Sequence, residues 1–288
     1  MRMRSKLFVP AIRHELFEKA LRSGADAICF DLEDAVSCDR KDEARDFLES
    51  FLSNRVPSPA PLILVRSNPV NSEQFPRDIA SITWPVLVAT ALPKVESADE
   101  VQNAASRIAE LELLRNITVP IGILPTIESP RGLRFAAEIA SSSPRVIGLQ
   151  IGFADLLEPL GIPSESVLAR NQIRLLIRLA AAEAGLECYD SAYANYKDAI
   201  GYQSELDAAR SLGFSGSSCI HPSQIAAANL SFTPSAESIA SAQRVVTAAE
   251  QAQQRGDTVI SVDGKMIDPP FVTYARKLLA RTTELAGH

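Results

Sequence analysis

Eight ionisable residues carry the chemistry that this sequence offers: Asp31, Glu33 and Asp34, Arg66, Lys94, Glu128, Asp155 and His221. Glu128 and Asp155 have no basic residue beside them in sequence. Brought together, they would repel, so one must take a proton or a cation must sit between them. Oxygen donors in that number suit Mg²⁺, which takes one or two carboxylates and fills the rest with water and substrate oxygens. Mn²⁺ suits the same ligands. Glu128 also reads as a turn residue before the helix start at Ser129-Pro130, whose positive end favours an anion. Arg66 closes the apolar run LILVR. Its planar fork suits a carboxylate gripped bidentately, and a structural salt bridge across the barrel mouth uses the same fork. His221 in Cys-Ile-His-Pro fits a hydrogen bonder at a strand end. With three histidines in the chain, a three-His zinc site is not expected. Both signs of charge together suit a site that holds a cation and an anionic substrate.

Each of these positions follows a short run of strand character. The runs are KLFV (6–9), AICFDL (27–32), LILVR (62–66), ATALP (89–93), IGIL (121–124), VIGLQ (146–150), ECY (187–189) and SSCI (217–220). Several lack a two-residue alternation, as strands buried on both faces do. Amphipathic helices lie between them, one with Leu16, Phe17, Ala20 and Leu21, another with Val101, Ala104, Ala105, Ile108 and Leu111. The segment 168–184 is nearly apolar all round, which predicts burial on more than one side, another subunit included. Eight β-then-α units predict an α/β fold, a closed (β/α)₈ TIM barrel. Residues 1–232 nearly supply the typical length of about 250. An open doubly wound sheet is the alternative. No G-x-G-x-x-G follows a strand and no G-x-x-x-x-G-K-[ST] occurs, which removes the usual dinucleotide and P-loop readings. In a barrel, loops at the C-terminal strand ends build the site, so the charges converge on one mouth.

SFTP (231–234) marks a boundary. Residues 233–288 then read as an extension: a helix with Ile239, Ala242, Val245 and Val246, a hairpin turning at Asp263-Gly264, and a helix opened by Pro269-Pro270. The 288 residues carry a net charge of −6 and are 46% hydrophobic, which excludes a disordered chain and gives no basic surplus for nucleic acid. No apolar run approaches the roughly 20 residues of a membrane span, and the basic start lacks the apolar stretch of a secretory signal. The four cysteines are scattered, without a C-x-x-C pair. A cytoplasmic protein is expected.

The motifs RSKLFVP (4–10), GADAICFDLEDAV (24–36), KDEAR (41–45), VRSNP (65–69), LPKVES (92–97), PTIESPRGL (125–133), GFADLLEPLG (152–161), LGFSGSSCIHPSQI (212–225) and DGKMIDPP (263–270) run in order over almost the whole chain. In them the chain resembles the HpcH/HpaI aldolase–citrate lyase superfamily, in its citrate lyase β-subunit-like branch, close to malyl-CoA and citramalyl-CoA lyases. The resemblance implies a TIM barrel with a C-terminal extension, assembled as trimers or hexamers. It implies Mg²⁺ at Glu128 and Asp155, and Arg66 on the carboxylate of an α-keto acid. It implies substrate or CoA contacts at Phe8, Lys19, Lys94, Ile220 and His221, with Glu33 and Asp34 at the mouth. Asp268 is implied as the catalytic acid, reaching a neighbour's barrel. The implied reaction is cleavage or formation of a 3-hydroxyacyl-CoA into an acyl-CoA and an α-keto acid. A carrier-protein-dependent β subunit and an acyl-CoA thioesterase or synthase are the alternatives. Two departures touch how CoA is held: Val-Pro-Ala replaces the usual V-P-G, and Gly-Phe-Ala-Asp the usual Gly-x-Glu-Asp. Asp268 also reads as a simple cap on the final helix.

Overall fold

The structure is a computed structural model that describes residues 3–58, 60–255 and 259–286. The chain divides into two compact units, residues 1–232 and 233–288. In the first, eight parallel strands close a barrel: β1 (Ser5–Pro10), β2 (Ala27–Asp31), β3 (Leu62–Arg66), β4 (Leu87–Leu92), β5 (Gly122–Ile127), β6 (Gly148–Ile151), β7 (Glu187–Asp190) and β8 (Gly216–Cys219). Pairing of β8 with β1, Lys6 against Ser218, closes the ring and excludes the open sheet. The β6 run is trimmed at its start, because Val146 makes only an isolated bridge to Ile123.

The strands read as unbroken apolar runs because both faces are buried. Leu7, Val9, Ile28, Phe30, Ile63 and Val65 face outward and join the core under the helices. Ala27, Cys29, Leu64, Ala89, Ala91, Leu124 and Tyr189 point inward and form a separate, smaller core. Truncating an inner residue such as Leu64 would leave a cavity at a cost of about 2–5 kcal/mol. Toward the C-terminal strand ends the same inward positions turn polar, with Asp31, Arg66, Thr126, Glu128 and Gln150. Strand alternation therefore delivers these side chains to one mouth.

The Val167–Glu183 helix departs from its expected burial. Ile173, Ile177 and Ala181 are buried, whereas Leu168, Leu175, Leu176 and Leu179 are exposed on this chain. Two arginines occupy the inward stripe instead. Arg174 is fully buried against Asp190 at 2.8 Å, and Arg170 lies 3.2 Å from Glu205. The inner face is thus partly ionic, and the leucines are left outside.

In the second unit, the Ala236–Arg255 helix leads to β9 (Ile260–Val262) and β10 (Lys265–Ile267). Asp263 and Gly264 adopt φ of 50° and 75°, the paired positive values of a type I′ turn. The Pro269–Ala286 helix follows, and Ala242, Val245, Val246, Ile267 and Ala275 give this unit a core of its own.

Candidate active site

The loop after β2 is tied down by its own side chains. Asp31 Oδ1 accepts the Glu33 N–H at 2.9 Å, and Oδ2 accepts that of Ala35 at 3.3 Å. Buried Lys41 donates to the Glu33 carbonyl at 2.7 Å and to Asn68 Oδ1 at 2.8 Å. Asn68 and Arg45 both bond Asp78, each at 2.7 Å. The KDEAR and VRSNP stretches are therefore braces that fix two mouth loops against each other.

Arg66 ends β3 with its fork closed on Asp31, Nε at 2.7 Å and Nη2 at 2.6 Å. Its Nη1 lies 2.9 Å from Glu33 Oε2, and Asp34 stands 4.0 Å away. The bidentate grip open in the sequence is thus made within the protein, and only the Nη1 edge is left for a second acid. Phe8 lies under the guanidinium, 5.3 Å from its centre. Burial pushes the Glu33 carboxyl above its ordinary range, although Arg66 and Lys94 oppose the shift.

Lys94 follows β4 with φ of 53°, a left-handed conformation that disfavours any residue but glycine. That geometry sends its N–H to Glu128 Oε1 at 2.6 Å. Its ammonium meets Glu33 at 2.7 Å, with Asp34 at 3.6 Å and Asp155 at 4.0 Å. Lys94 is the hinge between the two sides of the mouth.

Glu128 follows β5 and is 4% exposed. Ser129 caps the next helix by accepting the Gly132 N–H at 3.0 Å, which fixes the chain direction just past Glu128. The second carboxylate oxygen lies against Gly152, where a Cβ would come within 2.2 Å of it. Only glycine leaves that cradle open. Burial, together with the nearby charges of Asp155 and Glu33, pushes the Glu128 carboxyl up to about 8. Asp155 stands in the first turn of the Phe153–Leu157 helix and is largely exposed. Among the described residues no group of three or more His, Cys, Asp or Glu forms a ready metal cage. Two carboxylates, one buried and repelled by its neighbours, nevertheless fit a Mg²⁺ or Mn²⁺ completed by water and substrate oxygens.

The remaining expected residues fall less evenly. His221 is exposed and caps the Pro222–Gln224 turn, its Nδ1 2.8 Å from Ser223 Oγ and its ring stacked on Tyr196. Ile220 is 44% exposed, with its N–H donated to Gln224 Oε1. Lys19 is exposed on the Phe17–Leu21 helix, and the structure does not tie it to the charged cluster. Asp268, in the second unit, directly precedes the Pro269–Ala286 helix, and its Oδ1 is buried without a hydrogen bond. The sequence reading passed over Asp31 as the Arg66 clamp, Lys41 as a brace, and Lys6 and Gln150 inside the barrel. Counting inward positions along each strand would have found Asp31, Lys6 and Gln150. Nothing local marks Lys41.

The family model described as HpcH/HpaI aldolase/citrate lyase matches residues 4–222. The chain is 35% identical over 285 residues to a (3S)-malyl-CoA thioesterase of Cereibacter sphaeroides, covering 99% of this chain and 96% of that protein. It is 33% identical over 280 residues to a citrate lyase subunit beta of Haemophilus influenzae, covering 96% of each. Among solved structures, the CitE protein of Mycobacterium tuberculosis in complex with magnesium, acetoacetate and coenzyme A aligns with a TM-score of 0.77 at 31% identity, covering 96% of this chain and 97% of that one.

Proposed function

The chain belongs to the HpcH/HpaI aldolase/citrate lyase family, and from that premise we propose that it is a Mg²⁺-dependent carbon–carbon lyase. Its substrate would be a 3-hydroxyacyl-CoA such as malyl-CoA or citramalyl-CoA, cleaved to, or formed from, an acyl-CoA and an α-keto acid. The observation that carries the reading is Glu128, a buried carboxylate beside two others at a barrel mouth. The magnesium, keto acids and coenzyme A bound by the CitE structures support it.

A divalent ion held by Glu128 and Asp155 would supply Lewis acidity to the substrate's hydroxyl oxygen and adjacent carboxylate. Arg66, its fork fixed by Asp31, would meet that carboxylate through the Nη1 edge in place of Glu33. Glu33 and Asp34 take up the hydroxyl proton as the carbon–carbon bond breaks. Burial of Glu33 raises its proton affinity toward that role. The thioester enolate left behind needs a proton, which Asp268 supplies as general acid. Phe8, Lys19, Lys94, Ile220 and His221 contact the substrate or its CoA.

Asp268 would act on a neighbour's barrel in a cytoplasmic homotrimer or hexamer, and the leucines exposed on the Val167–Glu183 helix support such assembly. Asp268→Ala and Glu128→Gln should each be nearly inactive alone and regain partial activity when co-expressed. A mixture that stays dead while both variants assemble would remove Asp268 from the neighbouring site. Full turnover by Asp268→Ala alone would make it a helix cap.

A second reading is favoured by the thioesterase relatives, one of them 35% identical. A thiol reagent and a keto-acid reagent separate the two. The lyase releases keto acid and no free thiol from malyl-CoA or citramalyl-CoA, whereas a thioesterase releases free CoA. Keto acid formed only from an acyl-carrier-protein thioester would indicate a citrate lyase β subunit.

A further inference from the structure

Asp155, one of the two acids read as metal ligands, stands on a helix that does little to hold itself. Phe153–Leu157 is five residues long, and Gly152 gives it no side-chain cap. So short a helix takes its place from tertiary packing rather than from its own hydrogen bonds. Leu156 and Leu157 bury its far end, and Phe153, 2% exposed, anchors its start.

The Phe153 ring packs on two guanidiniums from the Val167–Glu183 helix, 4.6 Å from that of Arg170 and 5.2 Å from that of Arg174. Four residues apart, the two arginines share one helix face. Arg170 is 4% exposed, Arg174 is fully buried, and acids hold both in place. Arg174 reaches Asp190, at the end of β7, through Nε at 3.1 Å and Nη2 at 2.8 Å. Glu205, from the Ala199–Ser211 helix, pairs with Arg174 and lies 3.2 Å from Arg170. Two cations and two anions balance. Arg170 Nε is nevertheless buried without a hydrogen bond. An orphaned donor on a buried arginine is costly, and a well-packed apolar residue there would avoid that cost. What Arg170 adds is a cation against an aromatic face.

The backbone makes a second tie. Phe153 N–H donates to Ser191 Oγ at 3.3 Å, and Ser217 Oγ donates to the Ser191 carbonyl at 3.0 Å. Ring and backbone of one residue are thus both fastened to groups around the end of β7. The two sides of the metal site flank Phe153. Gly152, on one side, packs against the Glu128 carboxylate and donates its N–H to the Ile127 carbonyl at 3.1 Å. Asp155 follows on the other side. Gly152 therefore stays with Glu128, and Phe153 sets where the chain carries Asp155.

We propose that Phe153 is a positioning residue of the metal centre, clamped by Arg170 and Arg174 to hold Asp155 in register with Glu128. The inference rests on the reading of Glu128 and Asp155 as ligands. It adds to that reading three residues that carry no ligand atom.

Binding of Mn²⁺ with pyruvate present, read from the loss of the free ion's paramagnetic resonance signal, tests it. Phe153→Leu keeps an apolar side chain and loses the ring face. Arg170→Met loses the cation and leaves Glu205 on Arg174. Each should weaken Mn²⁺ binding by about 10-fold, the scale seen when the supports of metal ligands are removed. Arg170→Lys returns a cation to the ring and to Glu205, and should recover most of that affinity. Ile177→Val, at 0% exposure and about one turn past Arg174, is the control. A thermal melt should show it destabilised, with Mn²⁺ affinity as in wild type. Should Phe153→Leu fail to fold, the two Arg170 variants decide. Wild-type affinity in Arg170→Met overturns the clamp. So does an equal loss in Ile177→Val, which would make the effect one of general stability. Asp155→Asn that binds Mn²⁺ as tightly as wild type would remove the reading of the two acids as ligands, and the clamp with it.

Discussion

The two sides of the barrel mouth treat charge in opposite ways. On the β2–β4 side, Asp31, Glu33, Arg66 and Lys94 are interlocked, with the Arg66 fork closed on Asp31 at 2.7 Å and 2.6 Å and Lys94 on Glu33 at 2.7 Å. On the β5–β6 side, Glu128 receives one backbone N–H and faces like charge from Asp155 and Glu33, which with burial outweighs the opposing charge of Arg66. Paired buried charges hold loops in place, whereas a buried charge left without a counter-ion waits for a ligand. Acids follow strands on both sides, but only the β2–β4 side carries cations, Arg66 and Lys94, to pair with them. What separates them is where the partners are.

The largest effect should come from the unpaired side. Glu128→Gln removes the charge and keeps the shape, so turnover should fall by roughly 10³-fold, the several kcal/mol contributed by a Lewis-acid ion. The folded protein should be no less stable without metal, since at neutral pH the replaced group is a protonated carboxyl of the same shape as the amide. A thermal melt alongside the activity assay checks both halves. Retained activity, or a large loss of stability, would break the contrast.

Arg66→Ala should differ by costing stability as well as substrate binding. It strands Asp31, which is 3% exposed, leaves buried Glu33 to Lys94 alone, and should cost about 3–5 kcal/mol in denaturant unfolding. Arg66→Lys keeps the charge and loses the fork, so it should recover only part of that stability. A stability loss below about 1 kcal/mol for Arg66→Ala would mean that the clamp is not structural.

Proton linkage sharpens the comparison by a smaller margin. Glu128 has its folded-state carboxyl raised to about 8, above the ordinary carboxylate value, so the folded protein holds that proton more tightly than the unfolded chain. Its contribution is fully present below the ordinary carboxylate range and is lost as pH rises through about 8. Without metal, stability should fall by about 2 kcal/mol between about pH 6.5 and about pH 8.5, and Glu128→Gln should flatten that fall. Mg²⁺ must displace the same proton, so its affinity should rise with pH over the same interval. Calorimetry in two buffers of different ionisation enthalpy would count the proton released.

The barrel was legible in the sequence because short apolar runs recur eight times, most of them with a charge at or after the end, and eight such units leave few ways to close. Glu128 and Asp155 stood out as acids without a basic neighbour in sequence, and in space burial and like charge outweigh the one cation, Arg66, that acts on the Glu128 carboxyl. Arg66 was ambiguous, since a guanidinium at a strand end serves a substrate or a neighbouring strand equally well, and Asp31 resolves it only across the β2–β3 pairing. Lys6 was invisible for the opposite reason. A lysine within KLFV looks like the solvated start of a strand, yet barrel closure turns it inward. The Val167–Glu183 helix was legible in part: Ile173, Ile177 and Ala181 are buried as its apolar pattern suggests, but Arg170 and Arg174 share that stripe, and the leucines face outward on this chain.

The smallest expected effect tests whether the contrast extends to β8. His221 was expected at the substrate, yet its ring caps the Pro222–Gln224 turn, with Nδ1 2.8 Å from Ser223 Oγ and 3.2 Å from the Ser223 N–H. Gln224 answers by accepting the N–H groups of Ile220 at 2.8 Å and His221 at 3.2 Å, which completes a reciprocal cap. These bonds place His221 with the paired, structural side of the mouth. His221→Ala should then cost about 1 kcal/mol of stability, the ordinary worth of a cap. His221→Asn restores a capping side chain without an imidazole and should recover most of that loss. If the role is structural, turnover and KM for the acyl-CoA stay near wild type in both variants. If the ring also holds the thioester or its CoA, as the family resemblance implies, His221→Asn regains stability but keeps a raised KM. The two readings therefore diverge in one variant, and the KM of His221→Asn decides between them.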